Sequence, residues 1–125
     1  MKREIKFRGL ALPSGNWVFG SLITGNYPTF EGSTQIYNGG GFTIVDPKTV
    51  GQFTGKVVNG KDLYEDDIIT WEEEDDDYPL AWIEWEPEDG KFWVESDAQW
   101  GGYLSEFENI KVVGNIHQHK GMLAP

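Results

Sequence analysis

Few residues in this 125-residue chain are of types that do chemistry, and their spacing decides what each can do. His117 and His119, the two histidines, stand at i and i+2. On a strand both imidazoles would point to one side, a spacing that metal ligands use. A third ligand would have to come from elsewhere, so the preferred reading is an exposed polar tail. Asp66 and Asp67 could form a carboxylate pair of the kind hydrolases set across a cleft, where different surroundings drive two pKa values apart. Adjacent side chains on a turn point different ways, however, and Asp67 is better suited to accept backbone N–H bonds and cap the corner. Asn38-Gly39-Gly40-Gly41 has the glycine content of a phosphate cradle. Such loops lead from a strand into a helix and usually carry a lysine, and neither is present here. Trp71, Trp82, Trp85, Trp93 and Trp100 are dense enough for a stacking platform, but a single-strand binder sets such rings in a basic groove, and here the neighbours are acidic. They read as core or subunit-interface residues. With no nucleophile-and-base set and no cysteine, no catalytic, cofactor-binding or metal-ligating residue is assigned, and the sequence points away from an enzyme.

Charge narrows the choice of partners. The formal net charge is −11, with thirteen acidic residues and no Lys or Arg between Glu65 and Asp89. Lys2, Arg3, Lys6 and Arg8 place four of the ten basic residues in the first eight positions. Duplex nucleic acid is bound through clustered positive charge, so direct duplex binding is not expected. The run Glu72 to Asp77 reads most simply as a solvated loop. No apolar run approaches the roughly 18 residues of a membrane span. The basic N-terminus is too interrupted for a secretory signal. A cytoplasmic protein with no membrane association is expected, and the lack of cysteine fits a reducing compartment.

The elements that must position these residues are short strands. Sixteen glycines, six prolines and eighteen aromatics suit many turns and a bulky core. Residues 3 to 8 alternate, with Ile5 and Phe7 predicted to face inward and Glu4, Lys6 and Arg8 outward. A turn at Pro13 to Asn16 leads to a strand from Trp17 to Ile23, where Gly20 marks a bulge or a close backbone approach. A short extended piece is expected at Tyr27 to Phe30. Thr34 to Tyr37 and Phe42 to Val45 flank the Asn-Gly-Gly-Gly turn as a hairpin. Thr49 to Phe53 reads as a short strand. After a turn at Asn59-Gly60, Leu63 to Trp71 passes the acidic corner into another. Leu80 to Trp85 and Lys91 to Glu95 form the strongest hairpin, with Asp89-Gly90 at its tip. Residues 97 to 108 lack a strand pattern, and Leu104, Phe107 and Trp100 suggest a short helical turn. Ile110 to Ile116 is the last strand. The sum is an all-β chain of short antiparallel strands: an N-terminal β subdomain over 1–58, an SH3-like barrel over 59–117 on which the N-terminal strands pack, and a tail over 118–125.

Several blocks, in order, resemble the YopX family of small phage and prophage proteins. They are Arg3-Glu4-Ile5-Lys6-Phe7-Arg8, Val50-Gly51-Gln52-Phe53-Thr54-Gly55, Asn59-Gly60-Lys61-Asp62-Leu63-Tyr64-Glu65-Asp66-Asp67-Ile68, Ile83-Glu84-Trp85 and Val112-Val113-Gly114-Asn115-Ile116. Each is weak alone, and together they span nearly the whole chain as a single YopX-like unit. Asp66 departs from the family pattern, which usually has Gly there; Asp tolerates a left-handed backbone better than most residues, so the corner can survive. Gly9-Leu10-Ala11 also replaces the usual aromatic and acidic residues. The resemblance implies an all-β fold, a phage or integrated-element origin in bacteria and self-association, and it carries no catalytic residues to transfer.

Three functions follow as expectations. The first is a non-enzymatic accessory protein that self-associates, the basic first strand of one subunit meeting the acidic face of another. The second is an acidic, DNA-like inhibitor occupying the basic surface of a host nucleic-acid-binding protein. The third, a small hydrolase or nuclease, has no motif in its favour.

Overall fold

The computed structural model describes residues 4–24, 33–71, 80–96, 101–119 and 121. The expected extended piece at Tyr27 to Phe30, the acidic run Glu72 to Asp77, Trp100 and the basic residues Lys2 and Arg3 lie outside them. The described chain is all-β, with two antiparallel sheets and two single turns of 3-10 helix. None of its helices is long and apolar enough to cross a membrane. It divides into two compact units, Met1–Gly55 and Lys56–Pro125.

The first unit is built on β1 (Phe7–Leu10), β2 (Trp17–Ile23), β3 (Gln35–Tyr37), β4 (Phe42–Ile44) and the start of β5 (Gly51–Val58), hydrogen-bonded in the order β4-β3-β2-β1-β5. Turn chemistry sets the hairpins. Between β1 and β2 the Gly15 N–H donates to the Ala11 carbonyl at 2.8 Å. Between β3 and β4 the Gly40 N–H donates to Asn38 Oδ1 at 3.1 Å, an Asx turn that spends the Asn-Gly-Gly-Gly loop on reversing the chain. Gly20 is a close approach, as expected: a Cβ there would collide with the Tyr37 carbonyl oxygen. Ile36 and Val45 are fully enclosed, with Ala11 and Phe53 nearly so.

Two inward-outward assignments are reversed. Ile5 is 60% exposed, while Arg8, expected to face solvent, is 7% exposed with its guanidinium carbon 4.2 Å from the centroid of the Trp17 ring. The strand begins only at Phe7, so the alternation counted from Ile5 includes residues that are not strand. Arginine can take a buried site because its weakly hydrated, planar guanidinium stacks on an indole. Thr49 also departs from the strand expected to start with it. It closes a 3-10 turn over Pro47–Thr49, capped by Asp46 accepting from the Lys48 N–H, and its Oγ1 accepts from the Leu10 N–H at 2.9 Å.

The second unit takes up the end of β5, whose Asn59-Gly60 turn has φ of 50° and 80° and leads to β6 (Lys61–Tyr64). Positive φ at both central positions is what a tight hairpin needs, and Asn-Gly supplies it with little strain. Then come β7 (Asp67–Thr70), β8 (Ala81–Glu86), β9 (Lys91–Glu95), β10 (Gly101–Tyr103), a 3-10 turn at Leu104–Glu106 and β11 (Lys111–Asn115). The sheet order is β10-β9-β8-β7-β11, a meander with the last strand returned beside the first. Val58, Leu63, Ile69, Ala81, Ile83, Val94, Leu104 and Ile110 form one core, flanked by Trp71, Phe92, Phe107 and Val112. The Lys56 ammonium donates to the Phe107 carbonyl at 2.9 Å and ties the start of this unit to the segment before β11.

Two features of the second unit differ from expectation. Residues 101–103 are a strand, paired with β9 from Gly101↔Glu95 to Tyr103↔Trp93, although Gly-Gly-Tyr carries no strand pattern. Tertiary packing overrides propensity there, because the Trp93 indole lies against Gly101, where a Cβ would come within 2.6 Å of Nε1. His117, read as part of an exposed polar tail, is instead partly buried, and the chain turns directly after β11. The His119 N–H donates to the Asn115 carbonyl at 2.9 Å, and the turn folds back on the strand end.

Candidate functional site

The acidic corner between β6 and β7 is a structural joint. Asp67 is 3% exposed, and its Oδ2 accepts from the Tyr64 N–H at 2.8 Å, the capping role expected of it. Asp66 stands at φ 71°, a left-handed backbone that glycine adopts without strain and that Asp tolerates better than most residues. Its N–H donates to the Ile83 carbonyl at 2.8 Å and its carbonyl accepts from the Ile116 N–H at 2.9 Å, so one residue pins the corner to β8 and to the end of β11. The Asp66 and Asp67 carboxylates have separate partners, His117 for the first and the Tyr64 N–H for the second.

His117 reaches that corner. Its Nε2 lies 2.8 Å from Asp66 Oδ2, with the two side chains 15% and 23% exposed. His119 turns elsewhere, its Nδ1 accepting from the Asn115 N–H at 3.1 Å. The i, i+2 argument for a common direction fails because both histidines lie in the turn beyond β11, where side chains do not alternate. Asn115 organises that turn, its Oδ1 accepting from the N–H groups of His117 and Gln118. The ring of one histidine is a link to Asp66, and that of the other is a backbone acceptor. Among the described residues no group of three or more His, Asp or Glu is placed to hold a metal ion.

The tryptophans separate into two populations. Trp71 packs on the core, its ring 5.2 Å from that of Phe107, and Trp85 lies edge-on to Phe92 at 5.0 Å. Trp82 and Trp93 are on the opposite face of the β8–β9 hairpin. The register pairs Trp82 with Glu95, Glu84 with Trp93 and Glu86 with Lys91, while Ile83 and Val94 occupy the core side. Directly opposed residues share a face, so Trp82, Glu84, Trp93 and Glu95 form a two-by-two alternation of indole and carboxylate. The Trp82 Nε1–H donates to Glu84 Oε1 at 2.8 Å, which holds that carboxylate beside the ring. β10 extends the face: Tyr103 stands edge-on to Trp93 at 5.2 Å, donates its hydroxyl to Asp89 Oδ2 at 2.6 Å and carries the Lys91 ammonium 4.8 Å from its ring centroid. That hydrogen bond to Asp89, then partial desolvation, then the negative charges of Asp89, Glu86 and Glu106 raise the Tyr103 pKa above its ordinary 10.0.

Tryptophan content alone does not divide these rings by face. The dividing signal is in the chain: pairing outward from the Pro87-Glu88-Asp89-Gly90 turn sets Glu86 against Lys91 and fixes every later pair.

No curated protein and no solved structure matches the chain. The family model described as YopX protein matches residues 6–124, nearly the whole length, and the chain belongs to the YopX family.

Proposed function

We propose that this protein is a phage- or prophage-type accessory protein of the bacterial cytoplasm that works by non-covalent binding, without enzymatic activity, and associates with copies of itself. The observation that carries this reading is an uncharged apolar surface on the first unit. Tyr37 and Phe42 pair across β3 and β4 with ring centroids 4.9 Å apart, and Ile44 follows on the same face. These three are 40%, 49% and 40% exposed, and Phe19 on β2 is 48% exposed. From Trp17 to Val45 the sequence has a single charged residue, Glu31. In a chain of net charge −11, copies repel one another over most of their surface, and a neutral apolar patch is where two of them meet at least electrostatic cost.

The pairing of a basic first strand with an acidic face, expected from sequence, has less support. Arg8 is buried against Trp17, and Lys6 lies 3.3 Å from Glu4 and 4.7 Å from the Phe53 ring centroid. The finer fold reading, an SH3-like barrel over 59–117, is part of the same proposal. Its support is the β10-β9-β8-β7-β11 order with a 3-10 turn before the last strand; among the described residues no pairing closes the barrel.

Analytical ultracentrifugation at physiological salt tests the self-association. The wild type should sediment as an oligomer and Phe42→Lys as a monomer with unchanged circular dichroism. A monomeric wild type overturns the reading. A second reading, an acidic inhibitor of a basic host protein, is favoured by one observation, the carboxylates Glu84, Glu86 and Glu95 on the outer face of the second unit.

A further inference from the structure

We propose that the outer face of β8, β9 and β10 is a docking surface for an extended, arginine-bearing protein segment, received by the Trp82, Glu84, Trp93 and Glu95 square. The inference rests on the second reading above and gives it a site and a ligand chemistry.

Four observations carry it. The alternation is fixed by register, with Trp82 across from Glu95 and Glu84 across from Trp93, so every indole has a carboxylate both along its strand and across it. The Trp82–Glu84 hydrogen bond orients one of those carboxylates before any partner arrives. Glu95 is held as well, its Oε1 accepting from the Ser96 N–H at 3.2 Å. The same face already holds one cation on a ring, Lys91 over Tyr103, next to Glu86, which shows that its geometry accommodates an ammonium against an aromatic face.

The ligand chemistry follows from that pattern. A guanidinium stacks flat on an indole and offers a planar fork of donors to a carboxylate, whereas an ammonium does only part of this. Indole and carboxylate repeat along the strand at i and i+2, about 7 Å apart at roughly 3.3 Å per residue. An extended partner segment with arginines at alternate positions repeats at the same distance. Anionic nucleic acid is excluded by the sign of the charge, and an apolar segment would leave the carboxylates buried without partners.

The test uses the full-length chain and a fluorescein-labelled peptide of four Arg-Ser repeats, read by fluorescence anisotropy, with a citrulline-for-arginine peptide of the same length as the uncharged probe. The arginine peptide should bind with an affinity that falls as salt is raised, and the citrulline peptide should not bind. Glu84→Gln with Glu95→Gln should weaken binding about tenfold or more, and Trp82→Leu about threefold to fivefold, each with an unchanged thermal midpoint. A matched two-charge control, Glu4→Gln with Glu108→Gln, should stay within about twofold, since both residues are exposed and neither belongs to a strand of that sheet. Equal losses in the control and in the Glu84/Glu95 variant would overturn the proposal in favour of non-specific charge attraction. Loss only on neutralising Glu72 to Asp77 would overturn it while leaving the basic-partner reading in place. No binding of the arginine peptide by any form would end both.

Discussion

Asp66 and Asp67 illustrate how little a residue's type says about its work. As neighbouring carboxylates they look like candidates for acid–base chemistry, yet each is consumed by backbone and side-chain partners around one tight corner. The Asp67 carboxylate, on a residue 3% exposed, accepts from the N–H of Tyr64, itself only 2% exposed, and so satisfies a donor that burial takes out of water. Tyr103 is a more responsive reporter. Its raised pKa comes first from the hydrogen bond it donates to Asp89, so the neutral phenol is favoured in the folded state. The stabilisation this gives is fully present below the ordinary pKa of about 10 and is lost as pH rises through the raised folded value. Phenolate absorbance of the wild type minus that of Tyr103→Phe should therefore titrate above the ordinary tyrosine value. In Asp89→Asn the same difference should shift downward. A Tyr103 titration unaffected by Asp89→Asn would show that the hydrogen bond is not what raises it.

Strands depend on what they touch as well as on their own residues, and β10 is the clearest case. Gly-Gly-Tyr has almost no intrinsic strand preference, but Gly101 is the only kind of residue that admits the Trp93 indole against the backbone. Gly101→Ala should push the indole or the strand away and cost about 1–3 kcal/mol of stability in urea unfolding. It should also disturb the Trp93–Tyr103 contact, visible as a change in near-ultraviolet circular dichroism. An alanine variant as stable as the wild type would mean that β10 is held by its ladder alone. β8 and β9 contrast with this. Their Asp-Gly tip and alternating apolar positions state the hairpin locally, and Gly90 at φ 63° takes the left-handed place its type predicts.

For the whole molecule, charge is the dominant fact. With 21 acidic against 10 basic residues, the folded chain concentrates negative charge that the unfolded chain spreads out. Sodium chloride should therefore raise the thermal midpoint steadily, as the screening length shrinks from about 10 Å at 0.1 M to about 3 Å at 1 M. Differential scanning fluorimetry measures this directly, and a midpoint that falls with salt would mean that attractive pairs outweigh the repulsion. The same imbalance gives the two surfaces of interest opposite characters. The exposed face of β3 and β4 is apolar and uncharged, while that of β8 and β9 is aromatic and acidic. A neutral patch suits contact with another copy, and an acidic one suits a basic partner.

By itself the sequence determined the all-β class, the family, the two best hairpins, the capping role of Asp67 and the close approach at Gly20. Each of these is written in turn residues, in period-two alternation or in short motifs, which act over a few neighbouring positions. Only the tertiary structure decided that Arg8 is buried, that residues 101–103 are a strand, that His117 meets Asp66 and that Trp82 and Trp93 share a face with Glu84 and Glu95. Those outcomes depend on which distant segments come into contact: Arg8 with Trp17, Gly101 with Trp93, and residue 117 with residue 66 across 51 positions. Local propensity is nearly silent about such pairs, because their energies appear only once the strands between them are in register.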